Sequence, residues 1–64
     1  MDLRELVFFR CKAEYDCYMM MKDGDYTAEE LAEQKARFMC AYQIIEEAEL
    51  EREYQAWKKA NPDA

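Results

Sequence analysis

Apolar residues recur along this chain at helical spacing, not in strict alternation. In the first third, Leu3, Leu6, Val7, Phe8, Phe9 and Cys11 lead on to Cys17, Tyr18, Met19, Met20 and Met21. Asp2, Glu5, Lys12 and Asp16 form the narrow clean polar face of that stretch. This pattern predicts an amphipathic helix with an unusually wide apolar surface. A second apolar series follows Asp23-Gly24-Asp25 and reaches Trp57.

The ends of these stretches are punctuated. Asp2 followed by Glu5 fits a capping box, with Met1 and Leu6 at the staple positions. Thr27 followed by Glu30 repeats the arrangement, with Tyr26 and Leu31 flanking it. Between them Gly24 stands where a left-handed residue ends a helix. Lys58 and Lys59 suit a helix C-terminus, and Asn61-Pro62 stops it. The reading is all-α, as one domain over residues 1–64. It has a first helix at about 3–22, a turn at 23–27, a second helix at about 28–59 and a short tail at 60–64. Together these make an antiparallel helical hairpin with unequal arms, about 30 Å and about 48 Å long. Equal rise on both arms sets Tyr18 beside Leu31, Phe8 beside Tyr42, and Leu6 near Ile44 and Ile45.

On that geometry the chain beyond about Glu49 has nothing opposite it. Leu50, Tyr54 and Trp57 lie on one face of the overhang, and a bare stripe of that kind calls for a partner. The first helix is also too apolar for a single neighbour. Both points lead to a homodimer forming a four-helix bundle, with Leu50, Tyr54, Trp57, Phe8 and Phe9 at the interface.

Composition agrees. There is one glycine and one proline, and hydrophobic residues make up 52% of the chain, which argues against disorder. A single core in 64 residues supplies only about 3–5 kcal/mol, so self-association would help. The formal net charge is −6, with Lys and Arg interspersed among acids, so direct nucleic-acid binding is disfavoured. No apolar run is long enough to span a membrane, and the N-terminus lacks a signal-peptide pattern. A cytoplasmic location is expected.

Candidate chemistry is sparse. No cofactor is called for. Histidine and serine are absent and Thr27 is committed to a cap, so no nucleophile–base pair exists and no enzyme is expected. Lys22-Asp23-Gly24-Asp25 echoes a calcium loop, but Met21 stands where the first ligand belongs and the glycine and terminal glutamate are misplaced. The odd cysteine count argues against a secreted disulfide framework. Cys11, Cys17 and Cys40 read as small buried hydrophobes, with a Cys11/Cys40 redox pair at one level of the hairpin as the alternative. Met19, Met20, Met21 and Met39 read as core near the turn. Glu29, Glu33, Glu47 and Glu51 form one acidic ridge on a continuous second helix.

In size and hairpin shape the chain resembles the small aspartyl-phosphate phosphatases of sporulation signalling. That family carries a Ser-x-x-x-Asp-type helix motif. The corresponding helix here reads Leu31-Ala32-Glu33-Gln34-Lys35-Ala36-Arg37-Phe38, so none of the family's chemistry carries over. The functional expectation is a small non-enzymatic interaction module that self-associates through apolar helix faces. Its small size and acidity fit a phage or mobile-element accessory protein, by analogy alone. The alternative is an acidic inhibitor or antitoxin whose glutamate ridge masks a basic, nucleic-acid-binding surface of a target protein. A thiol-based redox sensor is a third class.

Overall fold

The computed structural model describes residues 2–64. Among them are three helices and no strand: α1 (Leu3–Lys22), α2 (Ala28–Glu47) and α3 (Glu51–Ala60). The first two begin at the caps the sequence marks. The Asp2 carboxylate accepts the Glu5 N–H at 2.8 Å. The Thr27 hydroxyl accepts the Glu30 N–H at 3.1 Å, and the Glu30 carboxylate accepts the Thr27 N–H at 3.2 Å, which completes a reciprocal capping box. The expected staple of Met1 on Leu6 lies outside the described residues.

Gly24 departs from expectation. Its φ is not positive. α1 ends instead by tightening its last turn, with the Asp23 N–H on the Met20 carbonyl at 3.2 Å and the Gly24 N–H on the Met21 carbonyl at 3.0 Å. A Cβ at Gly24 would meet the ring of Tyr26 at 3.0 Å, and that ring is half exposed and free to turn aside. Gly24→Ala is therefore expected to leave thermal stability unchanged or to raise it by up to about 1 kcal/mol, through lower entropy of the unfolded chain. Thermal melts followed by circular dichroism check this.

α2 packs back along α1. The Gln34 side-chain amide donates to the Glu14 backbone carbonyl at 2.9 Å and to its carboxylate at 2.8 Å. Phe38 packs on Tyr15 at 5.2 Å between ring centroids. Burial along α2 falls at Gln34, Ala41 and Ile45, the three- and four-residue spacing of one helix face.

The continuous helix expected over 28–59 is absent. α2 stops at Glu47, and Glu49 takes a left-handed φ of 57°. The Leu50 N–H reaches back to the Ile45 carbonyl at 2.9 Å, and the Glu49 N–H to the Glu46 carbonyl at 3.0 Å. These two bonds define a Schellman motif with glutamate where glycine is usual, and Leu50 folds onto the cluster that holds Ile45. The left-handed glutamate costs roughly 1–2 kcal/mol. The bend repays it by turning α3 onto α1. Tyr54 and Trp57 then pack within the chain, each large side chain gaining about 1.5–3 kcal/mol when fully buried.

α3 advances alongside α1, so it runs opposite to α2. Glu53 forms an ion pair with Arg4, and Trp57 packs on Phe8 and Phe9. The longest dimension of the fold is 34 Å, short of the about 48 Å that an unbroken second helix would need. The overhang is thus replaced by a third helix, and the argument that Trp57 needs another chain to cover it no longer holds. No helix among the described residues is long and apolar enough to cross a membrane.

Candidate functional site

Two surfaces follow from this arrangement. The first is the seam under α3. Its core is Phe8, Cys11, Ala41, Ile45 and Tyr54, with Val7, Phe38, Tyr42, Leu50 and Trp57 packed around it. Tyr54 is the hub, 5.4 Å from Phe8, 6.2 Å from Tyr42 and 6.3 Å from Trp57 between ring centroids. Phe8 and Tyr42, expected side by side, are joined through it. Lys58 places its ammonium 4.8 Å from the Tyr54 ring centre. All five residues assigned to a dimer interface, Leu50, Tyr54, Trp57, Phe8 and Phe9, therefore meet in this seam or at its edge within one chain.

Cys11 sits at the floor of the seam, fully buried. Burial pushes its thiol up from its ordinary value, while a hydrogen bond from Tyr54 and the charge of Lys58 pull the other way. Burial likewise pushes the Tyr54 phenol well above its ordinary range, reinforced by the hydrogen bond shared with Cys11 and by the charges of Cys11, Asp16 and Tyr42. Both groups hold their protons more tightly when folded than when unfolded. Their contribution to stability is thus fully present below the unfolded pKa values and is lost as pH rises above about 9–10. The urea midpoint is expected to fall between pH 8 and pH 10.5. Tyr54→Phe should flatten part of that fall.

The other cysteines are exposed and all three are free. Cys40 lines an open groove with Arg10, Ala36, Arg37, Ala41 and Ile44. The expectation of three buried hydrophobes holds for Cys11 alone, and the alternative Cys11/Cys40 redox pair gains no support from a buried Cys11 and an exposed Cys40, both free. No group of metal-ligating side chains converges among the described residues. The expected methionine core near the turn is largely open: Met19, Met20 and Met39 are 40%, 76% and 46% exposed.

The second surface is the part of α1 and α2 that α3 does not cover. One groove is lined by Leu6, Phe9, Arg10 and Ala13 with Ala64 of the C-terminal tail at its edge, and its neighbour by Arg10, Ala36, Arg37, Cys40, Ala41 and Ile44, so Arg10 stands between them. Leu6 is 55% exposed and Ile44 53%. Sequence reasoning missed this face because it assigned Leu6 and Ile44 to the inside of the hairpin.

The acidic ridge is divided by the bend. Glu29 and Glu33 lie exposed in the first turns of α2, Glu47 is its last residue, and Glu51, half-buried, opens α3. The ridge on one unbroken helix is therefore not formed. No family model, no curated protein and no solved structure matches the chain.

Proposed function

We propose that the chain is a non-enzymatic protein–protein interaction module that self-associates through the open face of α1 and α2. Two copies would meet with Leu6, Phe9, Ala13, Cys40 and Ile44 inward, each contributing a helical hairpin to a bundle of the homodimer. The observation that carries this reading is the half-exposed pair Leu6 and Ile44 beside small residues, Ala13 and Ala36, over which another helix can come close. The lack of serine and histidine supports a role without catalysis.

Sedimentation equilibrium tests it. A species of twice 7.7 kDa is expected at high micromolar concentration. Ile44→Asp together with Leu6→Asp should shift the dimer to monomer by at least tenfold in Kd, at unchanged helicity. A wild-type chain that stays at 7.7 kDa at all concentrations would refute the reading.

The alternative is an acidic inhibitor or antitoxin covering a basic surface of a target protein. Its supporting observations are the net charge of −6 and the exposed Glu29 and Glu33 at the start of α2. Salt separates the two: apolar self-association persists at 1 M salt, while charge-driven masking weakens.

A further inference from the structure

The bend between α2 and α3 contains no glycine and no proline. Its sequence, Glu46-Glu47-Ala48-Glu49-Leu50-Glu51-Arg52, consists of good helix formers throughout, and the one left-handed residue in it is a glutamate. Local preference favours a straight helix here, and the bend is held against it by the seating of Leu50, Tyr54 and Trp57 on the core cluster. A short, strained hinge joining an element to the body through one apolar seam is the arrangement from which segments exchange between copies.

We propose that α3 exchanges between two copies of this chain, the hinge straightening so that each α3 seats on the other chain's α1. The polarity of the helices permits it. α3 runs opposite to α2, and in a two-fold dimer a straightened α2–α3 helix of one chain lies antiparallel to α2 of the other. The exchanged α3 thus meets the same groove in the same direction. Tyr54 meets Phe8, Cys11 and Tyr42 of the other chain, Trp57 meets Phe8 and Phe9, and Glu53 meets Arg4. No new contact is needed beyond those already made within one chain, and the glutamate leaves its left-handed conformation.

A second feature sets the balance. Glu46, Glu47, Glu49 and Glu51 crowd the hinge. In the exchanged dimer the two hinges cross near the symmetry axis, so eight carboxylates approach one another. Their repulsion holds the chain in the closed form at low ionic strength, and salt relieves it. The exchange does not rest on the open face described above: the two share Phe9, at the border between them, while Leu6 and Ile44 take no part in the seam.

The test replaces Cys11 with Ala and Cys17 and Cys40 with Ser, then adds Arg4→Cys and Glu53→Cys at the ion-paired, half-exposed positions. Cross-linking with a short bismaleimide joins residues 4 and 53 within one chain in the closed form and between chains in the exchanged form. After refolding at high protein concentration in 1 M salt, a covalent dimer is expected on denaturing gels. Glu49→Gly, which removes the left-handed penalty, should lower its yield by about tenfold. Glu49→Ala, which favours the straight helix, should raise it. Ile44→Asp should leave it unchanged.

A native dimer that gives only intrachain links would overturn the exchange and leave self-association through the open face standing. The absence of interchain links even in Glu49→Ala would also overturn it. A covalent dimer abolished by Ile44→Asp would assign the link to the open face instead. Interchain links together with an open-face variant that dimerises like wild type would retain the exchange and sink the proposed function.

Discussion

Replacing Tyr54 with alanine is expected to unfold the chain at room temperature. Tyr54 is 2% exposed and touches Phe8, Tyr42 and Trp57, so truncation removes the common neighbour of three aromatic rings. Truncation of a buried large aromatic costs about 3–5 kcal/mol, the whole net stability that a core of this size supplies. Circular dichroism at 222 nm and the urea midpoint check it. Near-native helicity with an unchanged midpoint would mean that the seam contributes nothing and that α1 with α2 is stable alone. Tyr54→Phe keeps the ring and should retain the fold, so the comparison isolates packing from the hydroxyl.

The second large effect separates two adjacent isoleucines. Ile45 is fully buried, belongs to the core cluster, and supplies the carbonyl that caps the bend through Leu50. Ile45→Ala is expected to cost about 2–5 kcal/mol, as other large-to-small core changes do. Ile44 is 53% exposed, and Ile44→Ala should cost less than about 1 kcal/mol in the monomer. Denaturant titration at low protein concentration reads both. Equal losses would mean that the two faces of α2 are equally buried, which contradicts the bend. Reversed losses would place the seam on the wrong side of α2.

Much of this was written locally in the chain. Asp2, Thr27 and Glu30 fix where the first two helices begin, because short polar side chains satisfy orphan N–H groups whatever packs around them. The bend at Glu49 was not legible from local propensity, since Ala, Glu and Leu all favour continuing the helix. A non-local signal was present. The buried face of α2 runs through Gln34, Ala41 and Ile45, and the next apolar anchor, Leu50, is rotated about 160° from that face on a straight helix. Tyr54 and Trp57 continue the rotated phase. A stripe that changes phase asks for a break, even without glycine or proline.

The same break brings Leu50, Tyr54 and Trp57 inside one chain, where a straight helix would leave them bare, and it divides the glutamate ridge that a straight helix would carry. The burial of Gln34 is hidden in the sequence for a different reason. A polar residue at a core spacing looks like a surface residue until its partner is known, and that partner, Glu14, is contributed by another helix. Gly24 is not left-handed, because glycine permits such a turn without requiring one.

The only tryptophan of the chain stands on α3, its ring 4.8 Å from Phe9 and 5.8 Å from Phe8 between centroids. Its emission therefore senses the docking of the last helix onto the seam that α1 and α2 build together. Tyr54 and Tyr42 lie within easy energy-transfer range of that seam, so light absorbed by them emerges from Trp57 while α3 is seated. Undocking would part Tyr42 from Trp57, restoring emission from that tyrosine, and would shift the emission of Trp57 to the red. The protein thus carries an intrinsic optical reporter of its hinge, placed on the moving part.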